Sequence, residues 1–236
     1  MKTSLSARIC KRLERTVHGL CPLIEQQVNA KSSSPWTEYD LRRELVACIL
    51  GSQVRHEMAT TSLERLEHAQ LLHDTWWSGS QDTFESNVFD VLSGCTPHFK
   101  KKWSYRFPKA RSQQLAKTRN AIAEQSLSER LSKSFDPKKL RKELVKDISG
   151  LGPKQASMFL RNIGRCYDLA ILDTHVLRFM DVRNLLCLKK TKINTLKSYE
   201  RTEKIVVNYA NELGYPAGYM DWAIWATMRA ARELGI

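Results

Sequence analysis

The sequence predicts an all-α fold, and three observations carry that prediction. Apolar residues recur at helical spacing along the 236-residue chain. Strand-like alternation is missing, and capping residues, glycines and prolines stand where helices should start and stop. No repeat of solenoid period is visible. No clean linker is visible either, so the chain is expected to form a single unit of two helical lobes. Residues from about 55 to about 168 would make a middle lobe, and about 1–54 plus 169–236 a second.

The first segment, Met1 to Val17, carries Arg8, Lys11, Arg12 and Arg15 and lacks the apolar run of a secretory signal. It reads as the first helix of the fold, with a basic amphipathic targeting helix as the alternative. Ala30 to Pro35 is a polar, serine-rich link. Leu41, Leu45, Cys48 and Ile49 then share one helical face, and Thr37 and Asp40 are placed as a capping box ahead of them. Gly51 to His56 either continues that helix into a loop or begins the next one. Thr75 to Gln81 and Gly94 to Pro97 read as turns. Lys138 to Ile148 reads as a helix with Leu140, Leu144 and Ile148 on one side. Gly150 supplies a left-handed residue to end it, and Pro153 suits the first turn of the following helix. Ala156, Phe159, Leu160 and Ile163 give that helix its buried stripe. Asp173 caps the helix carrying Val176, Leu177 and Met180. Two more helices follow, about Tyr199 to Leu213 and Gly218 to Leu234, with Gly214 and Pro216 between them.

Composition narrows the function classes. Hydrophobic residues make up 42%, enough for a packed core, which argues against wholesale disorder. Lys plus Arg number 38 against 25 for Asp plus Glu, a net charge of +13. A surplus of that size favours a polyanionic partner, either nucleic acid or an acidic membrane surface. No stretch approaches the roughly 20 apolar residues that a bilayer span requires. The cysteines at positions 10, 21, 48, 95, 166 and 187 form no CxxC pair and read as reduced, mostly buried thiols of an intracellular protein.

The chemistry-bearing pattern is Ile148-Ser149-Gly150-Leu151-Gly152-Pro153-Lys154, followed nineteen residues later by Asp173-Thr174-His175. A glycine hairpin between two helices exposes backbone N–H groups at a helix start, a concavity that suits a phosphate. Glycine lets the phosphate approach the backbone closely. A lysine just inside that helix lies beside the phosphate and the adjacent sugar. Partial burial and the positive end of a helix both favour the uncharged form of an amine. An uncharged amine can attack the sugar carbon that bears the base. A carboxylate can stabilise the positive charge that builds on the sugar as the base leaves. Singly, each feature has an ordinary reading: a solvated lysine, a helix cap, a C-cap glycine. Together, in a basic helical chain, they point to the chemistry.

These residues resemble the helix-hairpin-helix-GPD superfamily of DNA glycosylases. Its pattern is an apolar residue, Gly-x-Gly-x-Lys, and an aspartate about nineteen positions on. Members with lysine at this place act as both glycosylase and AP lyase, so Lys154 implies the bifunctional class. Within it, the chain is most similar to the small archaeal-type 8-oxoguanine DNA glycosylase/AP lyase group. Glu44 to Leu50, Tyr105-Arg106-Phe107 with Lys109-Ala110, and Glu203 to Trp225 extend the likeness from about Leu41 to Trp225. The resemblance implies a DNA cleft between the two lobes, Lys154 as nucleophile and Asp173 as its electrostatic partner. It implies excision of 8-oxoguanine through a lysine Schiff base, then a strand nick by β-elimination. Gly150 and Gly152 would contact the DNA backbone, and His175 would either touch a phosphate or make a second helix-cap contact. Gln53 stands where the superfamily inserts a polar wedge against the widowed base; the alternative is a surface glutamine after a helix. Trp225 would stack on the flipped base and Asp221 would bond it or organise its pocket, while Trp222 is a pocket residue or a core tryptophan. Phe99 to Phe107, basic and aromatic, would grip the backbone or form a solvated face.

The same resemblance implies no active-site metal and no redox cofactor, with a structural monovalent cation held by hairpin carbonyls. Beyond Asp173 the chain has only Cys187, which excludes the four-cysteine iron–sulfur cluster of endonuclease III-like members. An extra N-terminal β domain has no room. Archaeal members tend to end in lysine near the lesion pocket, whereas this chain ends Leu234-Gly235-Ile236, which leaves the lesion contacts open. The expected partner is double-stranded DNA containing damaged guanine, and the expected state is a monomer in the cytoplasm, nucleoid or nucleus, without a membrane. Two rivals stay in view: the same chemistry on another oxidised base or a preformed abasic site, and a non-catalytic DNA-binding module.

Overall fold

Helices α1 to α11 follow one another with no strand among the described residues, and they cluster into two units. The computed structural model describes residues 2–30, 35–73, 79–94 and 104–234, the side chains of 2–7 excepted. One unit is Met1–Ser34 with Gly164–Ile236, the other Pro35–Ile163.

The first unit holds α1 (Lys2–Ala30), α9 (Thr174–Val182), α10 (Leu196–Glu212) and α11 (Ala217–Glu233). Val17, Cys21 and Ile24 are an i, i+4, i+7 stripe on α1, and they join one buried cluster with Phe179, Met180, Val206, Ala210, Met220 and Ile224. A capping box of Thr195 and Ser198 starts α10. Among the described residues, no helix is long and apolar enough to cross a membrane.

The second unit holds α2 (Glu38–Leu50), α3 (His56–His68), α4 (Gln81–Ser93), α5 (Pro108–Glu124), α6 (Leu127–Ser132), α7 (Pro137–Asp147) and α8 (Pro153–Asn162). The expected box at Thr37 is present: its hydroxyl accepts from the Asp40 N–H at 3.2 Å, and its own N–H donates to the Asp40 carboxylate at 3.0 Å. Ser126 makes the same reciprocal box at α6, while Ser80 and Asp136 cap α4 and α7 by each accepting one backbone N–H. Leu45, Ile49, Leu66, Leu92, Leu115 and Phe159 are fully buried in this unit.

Two boundaries differ from the sequence reading. Residues 35–54 belong with the middle unit, because α2 packs on α3, α5, α6 and α8. The break therefore falls at 34/35 rather than near 54, and the second falls at 163/164. Gly51 caps α2 and α3 begins at His56, so 51–55 is a turn between two helices. The glycines of both expected turns are left-handed, Gly79 at φ +72° and Gly94 at φ +76°. Residues 74–78 and 95–103, with most of the basic aromatic stretch, lie outside the described residues, as do 31–34 of the serine-rich link and 235–236 at the end.

Candidate active site

In the second unit, the hairpin between α7 and α8 places Lys154 at the second position of α8, directly behind Pro153. Pro153 brings no N–H to a place where the helix has no acceptor for one, so it starts the helix without loss. Gly152 is the N-cap and offers no side chain to its free N–H groups. Gly150 sits at φ +85°, a conformation natural to glycine. A Cβ there would lie 2.7 Å from the Gln114 amide oxygen, so the space is closed as well. Thr118 Oγ1 donates to the Ser149 carbonyl at 3.1 Å, fixing the hairpin to α5.

Lys154 is half-buried and its charge reaches α2. Burial, then Glu44, push the Cys48 thiol well up, and the charges of Lys154 and Arg161 oppose them. Glu44 accepts from Cys48 Sγ at 3.5 Å and from Asn162 Nδ2 at 2.7 Å. Met158 Cε lies 3.9 Å from where a Cβ on Gly51 would be. Helices α2 and α8 thus run antiparallel, with Glu44 opposite Asn162 and the 51–53 turn toward the Lys154 end.

That turn is held by the segment 105–111. Tyr105 OH donates to the Leu50 carbonyl at 2.6 Å, Arg111 Nη2 to Ser52 at 2.9 Å, and Arg106 Nη1 to Gln53 at 3.2 Å. Gln53 is exposed and left-handed at φ +62°. Burial pushes the Tyr105 phenol up, keeping it a donor.

In the first unit, Asp173 is the N-cap of α9, and its Oδ1 accepts from the N–H groups of His175 and Val176, both at 2.8 Å. The three residues leading to it are fastened amide by amide. Ala170 N donates to Glu203 at 3.1 Å, Ile171 N to Asp221 Oδ2 at 2.7 Å, and Leu172 N to Tyr199 OH at 3.2 Å. Tyr199 OH in turn donates to the Ala170 carbonyl at 2.8 Å. Asp221 is 1% exposed. Its Oδ2 is thus directed at the backbone of the segment that leads to Asp173. Trp222 packs against the core of this unit. Trp225 is half-buried, with the Arg229 guanidinium 5.3 Å from its ring centroid. His175 is half-buried and its backbone serves the Asp173 cap.

The sequence reading named Lys154, Asp173 and the glycines through their spacing, but not several residues that hold their segments in place. Arg111, Gln114 and Tyr199 belong to no motif, and Glu203 entered only as the edge of a similar segment. Charged groups inside otherwise regular helices were the available signal: Arg111 is 7% exposed and Glu203 is 3% exposed.

Lys154 thus stands in the first turn of α8, behind a glycine hairpin, and Asp173 stands at the start of α9, behind a segment whose amides are hydrogen-bonded to side chains. Residues 25–215 match the profile of the family described as 8-oxoguanine DNA glycosylase. The chain is similar to an 8-oxoguanine DNA glycosylase/AP lyase of Metallosphaera sedula, 30% identical over 94% of this chain and 90% of that one. One from Thermotoga petrophila is 31% identical over 92% of this chain and 94% of its own length. Among solved structures, the 8-oxoguanine DNA glycosylase of Thermotoga maritima aligns with a TM-score of 0.69 at 26% identity, covering 93% of this chain and 95% of that one. A Methanocaldococcus jannaschii 8-oxoguanine glycosylase/lyase in complex with DNA containing 8-oxoguanine shares the fold, with a TM-score of 0.71 at 20% identity over 97% of this chain and 98% of that one.

Proposed function

The chain belongs to the 8-oxoguanine DNA glycosylase family, and from that premise we propose that it excises 8-oxoguanine from duplex DNA and then nicks the strand. The observation that carries this reading is Lys154 in the first turn of α8, behind the left-handed Gly150 and the uncapped Gly152. The free N–H groups there suit a backbone phosphate, with Gly150 supplying the left-handed turn that presents them.

The lysine nitrogen attacks C1′ of the flipped nucleotide as the bond from C1′ to the base breaks, and the base leaves with the bonding pair and takes up a proton. Asp173 stabilises the positive charge that develops on the sugar. Loss of the nitrogen proton and opening of the ring give a Schiff base to Lys154. Removal of a C2′ proton then expels the 3′ phosphate by β-elimination, and water releases the lysine. Gln53 fills the gap left by the flipped nucleotide. Trp225 supplies the stacking face, Asp221 organises the approach to Asp173, and His175 serves the adjoining backbone.

The protein acts as a monomer, without an active-site metal. The carbonyls of the 148–151 hairpin also fit a structural monovalent cation: the Ile148 and Ser149 oxygens each accept one hydrogen bond and keep a second lone pair. Such a cation would brace the turn; the reaction needs only the protein groups.

The test is borohydride trapping on duplexes with 8-oxoguanine opposite each normal base, comparing wild type with Lys154→Gln. A covalent adduct that disappears in the variant supports the reading. An adduct on an abasic site but none on 8-oxoguanine would retain the lysine chemistry and discard the lesion. No adduct on either substrate would leave a DNA-binding module.

A further inference from the structure

Between α2 and α3 the chain must turn within a few residues, and it does so with an exposed glutamine in the left-handed region. Glycine would take that conformation with less strain, so a side chain kept there at some cost is a feature of sites that use it. The turn is also held with more hydrogen bonds than a helix end requires. The carbonyls of Leu50, Ser52 and Gln53 each accept from a side chain of the 105–111 segment. An arginine on one terminal carbonyl would be ordinary C-capping. Here the two inner donors are themselves buried, Tyr105 at 1% and Arg111 at 7% exposure, and they bond to each other, Arg111 Nε to Tyr105 OH at 3.3 Å. The backbone of Tyr105 is anchored in turn, its N–H donating to the Leu92 carbonyl at 2.8 Å.

Arg111 has a second arm. Its Nη1 donates to the Gln114 amide oxygen, the atom that closes the space above Gly150. One planar guanidinium therefore spans from the Gln53 turn to the group packed on the hairpin that carries Lys154. Lysine cannot reproduce that, because it offers a single charged point where arginine offers a rigid fork.

We propose that Tyr105 and Arg111 are positioning residues that fix Gln53 relative to the lysine hairpin and so set the opposite-base preference of the enzyme. This rests on the reading of Gln53 as the group that meets the widowed base. Opposite-base preference is then determined from the start of α5 and the segment just before it, by two buried residues.

Single-turnover excision is measured on four duplexes, 8-oxoguanine opposite C, A, G or T, with melting temperature recorded for every variant. The proteins are wild type, Gln53→Ala, Tyr105→Phe, Arg111→Lys, Arg111→Met and the double variant Gln53→Ala/Arg111→Met. The expected result is at least a five-fold change in the ratio between fastest and slowest opposite base for Gln53→Ala, and a change in the same direction for Tyr105→Phe and both Arg111 variants. The double variant shows no further change in that ratio, since both substitutions remove one arrangement. Arg111→Lys behaves as Arg111→Met, which separates positioning from a simple charge effect on DNA.

If Gln53→Ala leaves the four-rate profile unchanged, the wedge reading itself fails. If Gln53→Ala changes the profile while Tyr105→Phe and Arg111→Met lower all four rates by one common factor, the wedge stands and the positioning proposal is overturned. Ratio changes that multiply in the double variant overturn it too. Should Arg111→Met melt too low to assay, Tyr105→Phe, which loses one hydroxyl, decides alone.

Discussion

Replacing Asp221 by alanine separates two roles for a residue first expected in the base pocket. The carboxylate is 1% exposed and accepts from the buried Ile171 N–H at 2.7 Å. Alanine leaves that donor unpaired, at a cost of about 2 kcal/mol for a bond to a charged acceptor. In a chain of this length that lowers the melting temperature by about 4–8 °C. Asparagine keeps an acceptor of the same shape and loses only the charge assistance, so Asp221→Asn should cost about half as much. Excision should fall in step, because Ile171 lies two residues before Asp173 on the strap that Glu203 and Tyr199 also hold. The assay is thermal melting beside single-turnover excision on an 8-oxoguanine duplex. Melting of Asp221→Ala within about 1 °C of wild type, with excision lost, would refute the reasoning and return Asp221 to the base.

Asp173→Asn should leave stability nearly unchanged, because asparagine caps a helix as well as aspartate does, yet slow excision by about 100- to 1,000-fold; equal rates would remove the carboxylate from the chemistry. Gly150→Ala forces a side chain to φ +85° and against Gln114, so denaturant unfolding should show a loss of about 1–2 kcal/mol, with borohydride trapping weakened in the folded protein. Burial pushes the Cys21 thiol up to about 11. The stability that comes from keeping it protonated is present below the unfolded value of about 8.5 and is lost as pH rises toward 11, so wild-type melting should fall across that window and Cys21→Val should fall less steeply.

The parts of this fold that were legible in the sequence are those whose cause is local. Thr37 and Asp40 form a capping box because they stand three residues apart, and Asp173 caps α9 because its side chain reaches its own helix. Gly150 is left-handed because the chain must reverse within five residues between α7 and α8. Lys154 directly follows Pro153, which starts the next helix, so its place in the first turn is local too. The helices between 56 and 132 were harder to resolve individually. Their moderate amphipathicity is interrupted by buried polar groups such as Ser62, Arg65, Arg111 and Arg119, which blur an apolar stripe. Those groups are where tertiary partners decide. Arg119 donates to the Gly79 and Ser80 carbonyls, 40 and 39 residues away, and Arg111 to Ser52, 59 away.

The same division explains how the site is built. The groups proposed to react, Lys154 and Asp173, each sit at a helix start that their own neighbours specify, so a short motif can hold them. What such a motif cannot supply is rigidity, because a glycine hairpin and a three-residue strap are both intrinsically mobile. In this protein that rigidity comes from side chains distant in sequence: Thr118 and Gln114 on the hairpin, Glu203, Asp221 and Tyr199 on the strap. Thr118, Glu203, Asp221 and Tyr199 each donate or accept at a backbone group, and Gln114 packs on Gly150. Losing one is therefore felt twice, as an unpaired polar group and as a displaced reactive atom. This is why changes at the supporting residues are expected to lower stability and rate together, while conservative changes at Asp173 lower rate alone.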